Sequence, residues 1–287
     1  MSRMNQSGTR PPFRTSPQLP RAIPERPRTL APAPAASPAQ DEMKLFGRAA
    51  CRAMFRARPE DIRKVYVTQP RAGEMRDVLA YCAKQRLSFL VVQNEDLERL
   101  TQSQHHEGIC FVVQRRLPPP FASLVQELRR HSLPTTLLLL DGISNPHNLG
   151  AILRTAAHFG VHAALLMPNS SQTLTGTACR IAEGGAERVP LLTLDNPHTM
   201  LPMLQAIGFQ LVGTVVRDGR NLYAAPLPAR TVLMIGAEGE GLSPALISAA
   251  QVKVQIPGSG AVESLNVSAA TAVLLSAHFA AYAKPLH

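Results

Sequence analysis

From residue 135 onward, short apolar runs alternate with helical stretches, and this alternation narrows the possible folds more than any other feature of the chain. Residues 136–140, 163–167, 189–192, 209–216 and 231–235 are apolar runs of strand length. Residues 252–256 alternate Val252, Val254 and Ile256 with Lys253 and Gln255, the period of a half-buried strand. Between them the pattern turns helical. Residues 148–159 place Leu149, Ile152, Leu153 and Ala156 on one stripe and end at Gly160, a suitable C-terminal cap. Asn196-Pro197 starts a helix that ends at Gly208, and Ser243-Pro244 starts a short one. A long helix of small residues is expected from near Glu263, with Ser264, Asn266 and Ser268 in its first turns. Strands and helices in this alternation predict an α/β fold with a parallel sheet covered on both faces.

The first half reads differently. Residues 1–40 hold nine prolines and almost no aliphatic pattern, so a disordered basic tail is expected over 1–42. Residues 43–114 predict a small α/β domain, with helices at 49–58, 75–85 and 97–100 and strands at 62–67, 87–92 and 109–113. Residues 115–134 form a linker and helix. Pro118, Pro119 and Pro120 favour an extended spacer, and Phe121, Leu124, Val125 and Leu128 share one helical face. Residues 135–287 make the second domain.

Charge divides along the same line. The net charge is +10. Lys and Arg outnumber Asp and Glu by 6 to 1 in residues 1–40 and by 16 to 11 in 41–134, and match them at 8 each in 135–287. The basic half is suited to a polyanion, most plausibly nucleic acid, or is simply a solvated surface. Cys51, Cys82, Cys110 and Cys179 lack metal-ligand spacing and read as reduced cysteines of a cytoplasmic protein. His105 and His106 have no third ligand at useful spacing, so no metal is expected. No apolar run reaches membrane-spanning length, and no secretory signal is evident.

Three loops at strand ends carry the candidate chemistry. The first, residues 145–154, contains Asn145-Pro146-His147-Asn148 and ends at Arg154. Arg154 lies off the apolar stripe beside Gly150 and Ala151, whose small size admits a ligand backbone. Arg154 then reaches a phosphate or ribose oxygen, or is an ordinary exposed helix arginine. The second loop, Gly236-Ala237-Glu238-Gly239-Glu240-Gly241, follows a buried strand. It allows close backbone approach or is a plain glycine turn. Its spacing is not the G-x-G-x-x-G of a nicotinamide enzyme. The third runs from Ile256 through Pro257-Gly258-Ser259-Gly260 to Ser264, Leu265 and Asn266, either a ligand loop or a capped helix start.

In this order the three loops resemble the motifs of the SpoU (TrmH) family of RNA ribose methyltransferases, in the SPOUT superfamily, over about residues 135–283. Residues 43–114 resemble the small substrate-binding domain found in many members. There His106-Glu107-Gly108 departs from the usual His-Gln-Gly. The resemblance implies a parallel sheet with a C-terminal trefoil knot, a homodimer, and S-adenosylmethionine bound in the knot loops. It implies methylation of a ribose 2′-hydroxyl in tRNA or rRNA. Thr214, Gly236, Ile256 and Leu265 match donor contacts. Asn148, Arg154, Glu238, Ser264 and Asn266 match catalytic positions, with Ser264 and Asn266 holding Arg154 and the ribose. The alternative is a non-catalytic RNA-binding or ribosome-assembly factor that retains the fold.

Overall fold

The computed structural model describes residues 42–168 and 174–282. The tail expected over 1–42 falls almost wholly outside them. The first sheet has four strands, β1 (Glu42–Phe46), β2 (Ile62–Thr68), β3 (Ser88–Val92) and β4 (Ile109–Gln114), in the order β1-β4-β2-β3. It carries helices α1 (Arg48–Ala57), α2 (Gln69–Ala72), α3 (Arg76–Gln85) and α4 (Asn94–Thr101). The sheet is mixed, because β4 runs antiparallel to both β1 and β2 while β2 and β3 are parallel. Strand β1 has no counterpart in the sequence reading. It is five residues at a sheet edge, too short for its period to register.

Helix α5 (Phe121–Arg129) follows the proline spacer and buries Leu124, Val125 and Leu128 against the second sheet. That sheet comprises β5 (Thr135–Leu140), β6 (Ala163–Leu166), β7 (Leu191–Thr193), β8 (Gln210–Thr214), β9 (Arg220–Asn221), β10 (Arg230–Ile235) and β11 (Val252–Gln255). Its order is β7-β6-β5-β10-β8-β11-β9, and every pairing is parallel. The covering helices are α6 (Pro146–His158), α7 (Gly176–Ala182), α8 (Gly185–Arg188), α9 (Pro197–Gln205), α10 (Pro244–Ala249) and α11 (Val267–Tyr282).

The continuous apolar run of β5 follows from this architecture. Leu138 and Leu140 enter one core layer, with α6 and α11, while Leu137 and Leu139 enter the other, with α5 and α9. Successive side chains point to opposite faces, and both faces are dry. Helix α11 is tied to the amino end of the central strands by His278. Burial pushes this imidazole below its usual pKa, so it is neutral. With Nε2 protonated it donates to the Pro228 carbonyl (3.1 Å), leaving Nδ1 to accept from the Thr136 hydroxyl (3.0 Å).

The long helix starts later than the sequence suggested, at Val267 rather than near Glu263. Asn266 explains the start. Its side-chain oxygen accepts from Ser268 N (2.9 Å) and its carbonyl from Ala270 N (2.9 Å), as an N-cap does. Ser264 and Asn266 therefore precede the helix instead of lying within its first turns.

The two sheets are joined by more than the spacer. Arg58, after α1, makes a two-pronged pair with Glu187 of α8 (2.8 and 2.9 Å). Arg115 donates to the Leu174 carbonyl (3.1 Å), and Cys179 of α7 packs in the core of the first sheet. All four cysteines are unpaired and buried. Burial pushes the Cys110 and Cys179 thiols up to about 12, so neither is a thiolate at neutral pH.

Candidate active site

Parallel strands end together. Leu140 of β5 is level with Ile235 of β10, and β8 and β11 follow on the far side. The segments leaving β5, β10, β8 and β11 therefore emerge at one edge of the sheet, the usual place for a ligand in an open α/β fold. Asp141 knits two of them together. Its N–H donates to the Ile235 carbonyl (2.9 Å), and its carboxylate accepts from Ser243 N (2.8 Å). Nothing in the sequence pattern singled out Asp141.

At this edge Asn148, Glu238 and Asn266 form a closed ring of hydrogen bonds. Asn145 caps α6 by accepting from His147 N (2.8 Å), which sets the first turn and places Asn148 beside the second loop. Asn148 Nδ2 donates to Glu238 Oε2 (3.2 Å), and Asn148 Oδ1 accepts from Asn266 Nδ2 (3.2 Å). Asn266 Nδ2 also reaches Glu238 Oε1 (3.4 Å). The Asn266 amide is oriented from behind, because its oxygen accepts from Ser268 N and from Ser268 Oγ (2.5 Å). Two amides thus fix the two oxygens of one carboxylate. Ser268, which completes the arrangement, has the i+2 spacing of an Asx turn from Asn266.

The four positions that match donor contacts lie on the segments that leave this edge of the sheet. Thr214 ends β8, and its hydroxyl donates to the Met234 carbonyl (2.9 Å). Ile256 is half-buried against the core at the end of β11. Leu265 and Val262 are exposed apolar side chains on the third loop, at 45% and 72%. Gly236 begins the second loop, where a Cβ would lie 2.1 Å from the Gly241 carbonyl carbon. That glycine is required by the loop's own fold: Ala237 and Gly241 exchange backbone hydrogen bonds (3.1 and 2.9 Å), closing a tight hairpin that presents Glu238. Exposed apolar groups next to open glycine backbone at 258 and 260 suit a nucleoside with an apolar face and polar edges.

Arg154 is not brought into the ring. It lies six residues beyond Asn148 on α6, roughly 9 Å along the axis and about 120° around it. Its Nη1 pairs with Glu183 Oε1 at 2.9 Å. Ser264 is exposed on the third loop, while the Asn266 amide engages Asn148 and Glu238 rather than Arg154. Nor does the small Gly150 admit a ligand. A Cβ there would meet the Ala178 carbonyl oxygen at 2.6 Å, so the glycine lets α7 cross α6. In the first sheet, the departure at Glu107 has a local reason: its carboxylate accepts from Arg48 N (2.9 Å) at the start of α1, where negative charge is favoured. His106 beside it is buried, and its Nδ1 accepts from Gly108 N (3.0 Å).

The profile of the SpoU rRNA methylase family matches residues 135–276, and that of RNA 2′-O ribose methyltransferase substrate binding matches residues 44–119. A tRNA/rRNA methyltransferase of Escherichia coli O157:H7, YfiF, described as uncharacterized, is 35% identical over 235 residues, 82% of this chain and 67% of its own. The 23S rRNA (guanosine-2′-O-)-methyltransferase RlmB of Salmonella typhimurium is 33% identical over 232 residues, 80% of this chain and 95% of its own. The chain belongs to the SpoU family. An AdoMet-bound rRNA methyltransferase from Sinorhizobium meliloti shares the SpoU fold, with a TM-score of 0.69 at 20% identity over 85% of this chain and 89% of its own. The three loops that the SpoU resemblance singled out are the segments that the parallel sheet gathers at its carboxyl edge.

Proposed function

We propose that this SpoU-family chain transfers a methyl group from S-adenosylmethionine to a ribose 2′-hydroxyl of tRNA or rRNA. The observation that carries the reading is the Asn148–Glu238–Asn266 ring at the edge where donor and ribose must meet. The bound donor supplies an electrophilic methyl on a sulfonium. Thr214, Gly236, Ile256 and Leu265 hold it, largely through backbone. The reaction is an in-line displacement, so alignment supplies much of its rate. The amide-fixed Glu238 carboxylate orients acceptor groups at the ring, with Asn148, Ser264 and Asn266 positioning the ribose. A guanidinium is almost never neutral, so Arg154, which stands outside its own chain's ring, orients the hydroxyl at the ring of a second copy and stabilises its developing negative charge rather than removing its proton. Residues 43–114 present the RNA, and 135–287 perform the transfer.

Two assays test this reading. Calorimetry with S-adenosylmethionine is expected to give binding. RNA from cells lacking the protein is expected to lose a ribose that resists alkaline cleavage in wild-type RNA. Donor binding absent together with an unchanged methylation map would favour the non-catalytic RNA-binding role.

The finer parts of the reading also have support. A cytoplasmic location is in keeping with four unpaired, buried cysteines. Among the described residues no helix is long and apolar enough to cross a membrane. A trefoil knot at the C-terminus is supported by the strand order, in which β10 lies between β5 and β8 and the later β11 pairs beyond β8. A homodimer through α11 is supported by an apolar cavity of about 770 Å³ that α11, Phe159 and residues 222–227 line, with exposed Tyr223 among them and exposed Phe279 beside Phe159 (ring centroids 5.6 Å). Phe159 and Ala272 belong both to this cavity and to the one beside Arg154, so a second copy would sit next to that arginine. Phe279→Asp is expected to convert the dimer to monomer in sedimentation analysis with the fold intact by circular dichroism. A dimer that persists would exclude α11 as the interface.

A further inference from the structure

We propose that Glu183 is a positioning residue for Arg154, a role that rests on the reading of Arg154 as part of the methyl-transfer machinery. The contact itself is Arg154 Nη1 to Glu183 Oε1 at 2.9 Å. Glu183 stands at the elbow between α7 and α8, and three features fix that elbow. Glu183 is in the left-handed region at φ 46, a conformation that costs a side-chain-bearing residue free energy. Gly184 follows at φ 98, and a Cβ there would lie 2.7 Å from the Ala53 Cβ. At Gly185 a Cβ would lie 2.5 Å from the Leu153 carbonyl oxygen and 2.9 Å from the Arg154 Cα. The elbow is therefore pressed onto the backbone of Arg154 itself, so carboxylate and guanidinium are carried by segments that move together.

Fold stability does not account for this arrangement. The two side chains are 58% and 47% exposed, and a pair so well solvated contributes little. A long arginine stem, however, leaves the guanidinium plane free to rotate. The charge contact at one terminal nitrogen restrains where the guanidinium sits and narrows the directions its remaining N–H donors can take. Donors aimed before the reaction at a site of developing negative charge are worth more than donors that must reorient during it. Arg188 lines the same cavity of about 600 Å³, where Glu183 is the acidic residue beside two arginines.

The test uses the full chain, labelled S-adenosylmethionine and, as acceptor, total RNA from cells lacking the protein. Glu183→Ala is expected to lower apparent kcat about 5-fold, the scale of one half-exposed charge pair. Apparent KM for RNA and the donor Kd are expected to stay within about 2-fold. Glu183→Gln keeps an oxygen acceptor at the same reach and is expected to recover most of the loss. In an Arg154→Lys background, Glu183→Ala is expected to add little, because the group it acts through has already changed. An unchanged or increased kcat in Glu183→Ala overturns the proposal, the increase by making the pair a restraint, and so does a fall confined to KM. Near-normal turnover in Arg154→Ala would instead remove the role of Arg154 on which the proposal stands.

Discussion

Arg154→Ala is expected to lower methyl transfer by at least about 10²–10³-fold, the range seen when a preorganised donor to a developing charge is removed. The donor Kd should be unchanged, because Arg154 pairs with Glu183 at the α7–α8 elbow and is not among the loop positions that match donor contacts. The fold should be unchanged too. The side chain is 58% exposed and its ion pair with Glu183 is solvated, so truncation falls in the class of surface substitutions that shift stability by about 0.5 kcal/mol or less. The loss is then attributable to chemistry. Single-turnover rates, donor calorimetry and thermal melts on the same preparation separate the three quantities. Turnover near that of the parent would contradict the role given to Arg154. The contrast with Asn148 is informative: that residue belongs to the hydrogen-bonded ring, so its replacement also releases Glu238 and Asn266.

How much of this was legible in the sequence depends on the range of the interactions involved. The second sheet was readable because both its faces are buried, which writes continuous apolar runs such as Leu137–Leu140 into the chain. The three loops were readable because glycine, asparagine and proline mark strand ends and helix caps locally. The short edge strands β1 and β9 were not, since each is defined by its partner and not by its own pattern. The same holds at the site. Asn148, Glu238 and Asn266 stood out singly by motif, but only the strand order β5-β10-β8-β11 explains why residues 118 positions apart share a hydrogen bond. Gly150 misled for a physical reason. A missing Cβ signals close approach without saying by what. At Gly150 the approaching group is α7, and at Gly236 it is the loop's own return. Glu183 carried no signal at all, for its meaning comes from an elbow folded across α6.

Glu187→Ala is expected to destabilise the fold by about 3 kcal/mol, the low end of the 3–5 kcal/mol that follows when one partner of a buried ion pair is removed. Arg58 and Glu187 are 9% and 8% exposed and meet through two parallel hydrogen bonds. Burial opposes the charge on Arg58, but hydrogen bonds and charge from Glu187 and Asp61 outweigh it and raise the guanidinium pKa. The arginine therefore stays charged when Glu187 is lost. Asp61 and the Gln114 carbonyl still accept from its Nη1 (2.9 Å each), which is why the low end applies. The pair spans the first sheet and α8, so its loss also loosens the seam between the first sheet and the half that carries the site. The connecting segment at Leu117 is 80% exposed, and faster proteolysis there is expected in the variant. Glu187→Gln, which keeps an acceptor but not the charge, should fall between the two. Urea unfolding followed by circular dichroism reads the difference. A loss under about 1 kcal/mol would mean that Asp61 and Gln114 alone satisfy the buried guanidinium.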